Sequence, residues 1–314
     1  VNMVEPDPRR PGTMYVSADR HRLDDFKPYA FRTDDYGKTW TSITNGLPAD
    51  AYMHVIRADP ARPELLYAGT ENGVFISFNG GKQWQPFQMG LPRSPVHDLA
   101  IAGAGDLAVA THGRSFWVLD DLSAVRQWSP DIAKKDVHLF QPRDTMRILY
   151  TGYGNGTGGP TGTNPPQGVI IYYHLKEGQA EPKGAGKADA SYAPKTTDAP
   201  STAGATATGA VKPPVDNGIK LEILDATDRV IRTYPAVEAP GADDGEEEEG
   251  RGRKPAKLTR NAGINRFVWD FREEGPVKVP KASLWRNARG GPVVLPGQYK
   301  IRLTVDGKSQ VQPV

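Results

Sequence analysis

The 314-residue chain contains no cysteine, which excludes disulfide staples and thiolate chemistry alike. No run approaches the ~20 apolar residues of a membrane-spanning helix, so no membrane span is expected. A large excess of one charge sign is also missing: the net charge is +2. Lys and Arg are scattered and form no stripe, which argues against nucleic acid as a partner. No Gly-x-Ser-x-Gly elbow, phosphate loop or His-Glu-x-x-His spacing occurs. Gly152-Tyr153-Gly154-Asn155-Gly156 is a glycine-rich stretch without a strand-to-helix context. No cofactor and no metal is therefore expected. The opening Val1-Asn2-Met3-Val4-Glu5-Pro6 has neither the basic nor the apolar region of a signal peptide. Glycine (34) and proline (28) are abundant, as suits many short strands joined by turns.

What is present is a repeat. Thr33-Asp34-Asp35-Tyr36-Gly37-Lys38-Thr39-Trp40 recurs as Ser77-Phe78-Asn79-Gly80-Gly81-Lys82-Gln83-Trp84. Trp40 and Trp84 stand 44 positions apart, and so do the Gly-Leu-Pro segments that begin at Gly46 and Gly90. An interval of that size carrying a hairpin-turn motif points to β-propeller blades. Within each octet, Asp35 or Asn79 is suited to accept backbone N–H bonds across a tight turn. Gly37 and Gly81 supply positive φ, and Trp40 and Trp84 are expected to fill the space between blades. Thr33 and Ser77 complete these structural sets. Calcium at Asp34 or Asp35 is the minor alternative. Two or three blades do not close a propeller, which needs about 4–8. The start is therefore expected to be a cut inside a longer protein whose N-terminal blades form a partner surface.

Short β-rich segments run from residue 12 to about 128. A looser third blade is marked by Val109-Ala110-Thr111, with Ser115 to Asp121 in place of the octet, and Asp121 is placed to cap a short helix over Leu122 to Trp128. The expected fold class is all-β: C-terminal propeller blades over 1–145, a Gly/Pro-rich linker over 146–168, and an Ig-like β-sandwich over 169–314. Val137 to Phe140 is read as a strand that completes or leaves the propeller. Two stretches inside the sandwich, about 178–216 and 240–257, are too poor in large apolar residues to offset ordering entropy and are expected to be disordered insertions. Trp285, near Arg286 and Arg289, is either a packed indole or a sugar-stacking platform.

The octet resembles the Asp-box, or bacterial neuraminidase repeat, of sialidase, xyloglucanase and sortilin-type propellers. The string Ala110-Thr111-His112-Gly113-Arg114-Ser115-Phe116-Trp117-Val118-Leu119-Asp120-Asp121, Asn164 to Gly168 and the terminal Pro-Gly-Gln-Tyr-Lys-Ile-Arg-Leu strand are similar to large secreted bacterial glycosyl-hydrolase-like or sortilin-like repeat proteins. The first octet matches fully. The second has Asn79 for Asp and Gln83 for Thr. The resemblance implies a secreted or periplasmic location, turns between the third and fourth strands of each blade, and ligand binding at the opposite end. That end is expected to gather Arg20, His21, His54, Glu71, His97, His112 and Arg114, a mixture suited to a glycan or protein ligand. The favoured reading is a binding or structural module without catalysis. The alternative is part of a sialidase- or xyloglucanase-like glycoside hydrolase, with Asp19, Asp24, Asp25 and Glu71 as the available carboxylates. The Tyr/Glu pair of a sialidase is not assignable.

Overall fold

In a computed structural model the chain is nearly all β and divides into two compact units, Val1–Trp128 and Ser129–Val314. The structure describes residues 1–103, 105–148, 164–178, 218–235, 258–275 and 291–314. Most of the expected linker, nearly all of both expected insertions, the 152–156 glycines and Trp285 with its arginines lie outside them.

The first unit is a row of three antiparallel meanders. One sheet holds β1 (Met3–Pro6), β2 (Met14–Arg20), β3 (Asp25–Thr33) and β4 (Thr41–Ser42) in that order. The next holds β5 (Met53–Ala58), β6 (Leu66–Thr70), β7 (Gly73–Ser77) and β8 (Gln85–Pro86). The third holds β9 (Val96–Ile101), β10 (Leu107–Thr111) and β11 (Phe116–Leu119). These are blades of a β-propeller. Strands β6 and β7 are buried along their whole length because their alternating side chains serve two cores. Leu66, Ala68 and Phe75 join Tyr15, Ile43 and Trp84 between the first and second blades. Tyr67, Val74 and Ile76 join Val96, Leu99 and Leu107 between the second and third. A sheet covered on both faces reads as a continuous apolar run, as these strands do.

Polar ties cross the same interfaces. Arg57 on β5 donates to Glu5 on β1 (3.0 Å), Asp98 on β9 (3.0 Å) and the Leu99 carbonyl (2.6 Å), and so spans all three blades. A short helix, α1 (Ser123–Gln127), closes the unit. The Asp121 carboxylate accepts the Ser123 N–H at 2.9 Å, and Arg126 reaches the fully buried Asp59 carboxylate at 3.0 Å.

The repeated octets form the β3–β4 and β7–β8 turns and share their backbone N–H bonds to the first and third side chains despite their different residues. Thr39 N donates to Asp35 Oδ1 and Gln83 N to Asn79 Oδ1, both at 2.9 Å. Gly37 N and Gly81 N donate to Thr33 Oγ1 and Ser77 Oγ, again both at 2.9 Å. An amide oxygen therefore replaces the carboxylate without loss of the turn. The tryptophans differ. Trp84 is 1% exposed, and its indole N–H donates to the Ile43 carbonyl of the preceding blade at 2.7 Å. Trp40 is 43% exposed and donates to Gly37 within its own turn. The expected blade-filling role thus describes Trp84 and not Trp40, which has no blade against its face among the described residues.

The second unit is a β-sandwich. After α2 (Pro130–Lys134), β12 (Val137–Leu139), β13 (Val169–Leu175) and β16 (Gly263–Trp269) form one sheet. Strands β15 (Val230–Pro235), β14 (Ile219–Leu224), β17 (Lys300–Val305) and β18 (Lys308–Pro313) form the other. Ile171, Tyr173, Phe267 and Trp269 from the first sheet share a core with Leu221, Ile223, Ile301 and Leu303 from the second. Strand β12 pairs with β13, so the first unit ends at Trp128 and not near residue 145. The ladder to β13 and the Gln310 side chain, which accepts from Leu139 N and donates to the Val137 carbonyl, hold this segment in the sandwich.

Candidate functional site

An antiparallel meander sends alternate turns to opposite ends. The octets share the end that carries the β1–β2 turn, and the β2–β3, β6–β7 and β10–β11 turns lie at the other. At that second end a line of aromatic rings crosses the first unit. The His21 ring stacks on Tyr52, with centroids 4.8 Å apart, and Tyr52 meets His54 edge-on at 5.2 Å. His54 lies 4.3 Å from His97, and His97 stacks on His112 at 5.1 Å.

Local backbone explains why the two central histidines point there. Met53 pairs with Thr70 and Val55 with Gly69, which leaves His54 as an extra residue on β5. Val96 pairs with Thr111 and Asp98 with Ala110, which leaves His97 as the extra residue on β9. A β-bulge re-aims the side chain that it carries, and bulges gather beside functional sites. Here each lifts a histidine out of the in-out alternation beside a fully buried neighbour, Met53 or Val96. The turn residues are matched as well. Glu71 N donates to the Tyr52 carbonyl (3.1 Å) and His112 N to the Pro95 carbonyl (2.9 Å). Each of these two blades thus presents one bulged histidine and one polar turn residue, His54 with Glu71 and His97 with His112.

Three of the four candidate carboxylates, Glu71, Asp19 and Asp25, are committed to neighbours. Glu71 Oε2 lies 3.1 Å from His54 Nε2. The Tyr52 phenol is pushed up to about 12 by burial and by its hydrogen bond to Glu71. Asp19 contacts His21 Nδ1 and the Asn2 amide. Burial works to raise its carboxyl, but the bonds from Asn2 and His21 hold it below the ordinary value. Asp25 accepts from the Tyr29 phenol, which is the main cause of its lowered value. His97 is lowered by desolvation and then by the neighbouring His54 and His112, as expected where like charges would crowd. Ligand atoms of His54, Glu71 and His97 lie within 4.8 Å of one another.

The structure therefore brings together His21, His54, Glu71, His97 and His112. It does not gather the two arginines. Arg20 turns to Asp25 at 3.6 Å with its side chain 56% exposed, and Arg114 enters only the local turn, where its carbonyl accepts the Trp117 indole N–H. Sequence reasoning missed Tyr52 and Asn2. Tyr52 carried a usable signal, because it sits two residues before His54 at the mouth of an innermost strand. Asn2 carried none, since its partners Asp19 and the Met53 carbonyl meet it only through packing of neighbouring blades.

No protein-family model matches the chain, and no curated protein matches it. Among solved structures it is similar to YCF48 bound to a D1 peptide, at 15% identity and TM-score 0.28, over 38% of this chain and 36% of that one. It is similar to a GH74 enzyme from Niastella koreensis at 16% identity and TM-score 0.31, over 55% of this chain and 28% of the enzyme. An ancestral GH74 enzyme aligns at 10% identity and TM-score 0.28, over 98% of this chain and 42% of the enzyme. The chain thus spans 28% to 42% of the length of these structures. No helix among the described residues is long and apolar enough to cross a membrane. The functional reading rests on the side chains at the histidine-lined end.

Proposed function

We propose that this chain carries C-terminal blades of an extracytoplasmic Asp-box propeller followed by an Ig-like sandwich, and that the histidine-lined end binds a protein or glycan ligand without transforming it. One observation carries the non-catalytic part. Glycoside hydrolysis needs a carboxylic acid kept protonated by a raised pKa, opposite a second carboxylate. Asp19 and Asp25 are instead held low by hydrogen bonds, and Glu71 is engaged by His54. Stacked rings with hydrogen-bonding edges suit recognition of a planar or polar ligand. The exposed Trp40 face supports a further blade on that side. The sandwich order, first-second-fifth strands against fourth-third-sixth-seventh, supports the Ig-like reading. It departs from the constant-domain pattern in the sheet that holds the fourth strand.

The test pairs binding with turnover. The 314-residue chain is titrated against panels of glycans and peptides while fluorescence is followed, and incubated with xyloglucan, aryl glycosides and sialosides while released sugar is measured. Saturable binding that weakens in His21→Ala and Tyr52→Ala, with no release of sugar, is the expected result. Turnover that disappears in Glu71→Gln would overturn the reading in favour of a glycoside hydrolase.

A further inference from the structure

We propose that His54, Glu71 and His97 form a binding site for a divalent transition ion of the zinc class. His112 would flank the remaining coordination position, which stays open to solvent. The proposal deepens the reading of this end of the blades as a binding surface, but its test reads metal alone and stands apart from any ligand.

Three arguments carry it. The first is the donor set. Two imidazoles and one carboxylate suit borderline ions such as zinc, cobalt and copper, whereas calcium and magnesium prefer all-oxygen cages. Three protein ligands with an open fourth position is the pattern of an ion that receives an outside donor.

The second is distance. A tetrahedral ion with bonds of about 2.1 Å holds its ligand atoms about 3.4 Å apart. His54 Nε2 and Glu71 Oε2 are at 3.1 Å, and the three ligand atoms fall within 4.8 Å. Closing the longer separations takes about 1.4 Å, which side-chain rotation supplies without backbone movement, since His97 is exposed.

The third is backbone. His54 and His97 each occupy the extra position of a β-bulge, on the innermost strands of neighbouring blades. Core packing alone gives no reason to interrupt both ladders at the residue that meets its counterpart across the interface. With both side chains aimed at one point, neither blade holds the site alone, and an ion there would also tie the blades together.

The experiment uses the untagged 314-residue chain, stripped of metal and titrated with cobalt(II) under visible absorption. One equivalent is expected to give a saturable d–d band, and zinc to bleach it. In His54→Gln and His97→Gln the apparent affinity should fall by more than the about 10–100-fold that loss of an outer partner brings. His138→Gln, in the other unit, should titrate as the wild type does. His97 is exposed, so its variant keeps the test decisive even if His54→Gln folds poorly. Absence of a saturable band, or a band of equal affinity in His97→Gln, would overturn the proposal.

Discussion

The two tryptophans of the repeated octets offer a direct test of blade packing, because one sequence pattern places them in opposite environments. Burying an indole removes on the order of 200 Å² from water, worth about 5 kcal/mol at about 25 cal/mol per Å². Truncation of buried aromatics to alanine costs about 3–5 kcal/mol. For Trp84, which is 1% exposed, loss of the bond to the Ile43 carbonyl adds about 1 kcal/mol for an orphaned acceptor. Trp84→Ala should therefore cost about 4–6 kcal/mol. Trp40, 43% exposed and bonded within its own turn, gives up about half the transfer energy and leaves no closed cavity, so Trp40→Ala should cost about 2–3 kcal/mol. The assay is calorimetric melting of the full chain, with the transition of the first unit assigned as the one that moves to lower temperature in Trp84→Ala. At about 3 °C per kcal/mol for a unit of this size, the two variants should melt roughly 8 °C apart. Equal shifts would refute the reasoning, since they would mean that Trp40 is covered too.

Three further expectations follow from the packing and the turns. A Cβ on Gly69 would stand 2.6 Å from both Val55 Cγ1 and the Val96 carbonyl, so Gly69→Ala should cost about 1–3 kcal/mol by overpacking, measured by urea denaturation. Asp35 is held down to about 2 by the Thr39 hydroxyl and backbone. Its contribution is complete above the ordinary value of 3.8 and lost as pH falls from there through about 2, so Asp35→Asn should remove that acid-labile part, seen as a smaller difference between pH 5 and pH 2 melts. In the sandwich, Arg302 donates to Glu222 at 2.7 Å and is the leading cause of its lowered value. Lys220 remains at 3.0 Å, so Arg302→Ala should cost about 1–2 kcal/mol. That penalty should be full above pH 4.5 and shrink as pH falls through the folded value of Glu222.

Legibility varied with how local the cause was. Strands β2, β3, β5, β6, β7, β9 and β10 were visible as short β-rich segments because each supplies buried residues to the cores between blades. Strands β4 and β8 are two residues long, too short for any periodicity. Strand β1 alternates in burial, but with Glu5 and Pro6 it carries no apolar run. The octet turns were readable down to their hydrogen bonds, since donor, acceptor and positive-φ glycine all lie within eight residues. The destination of Val137–Leu139 was not, because pairing with β13 spans more than thirty residues.

The candidate site divides along the same line. That His21, His54, His97 and His112 share one end follows from strand parity: once the octets are assigned to the β3–β4 and β7–β8 turns, the alternation of a meander places the remaining turns. The selection within that set belongs to the tertiary structure. Bulges at His54 and His97, the approach of two blades and the insertion of Tyr52 decide which rings touch. Arg20 and Arg114 remain with local partners. The sequence determines chain-local chemistry, the turns and the order of strands, through bonds between near neighbours. Which side chains converge, and which tryptophan is buried, depends on inter-blade distances of a few ångströms, and only packing sets those.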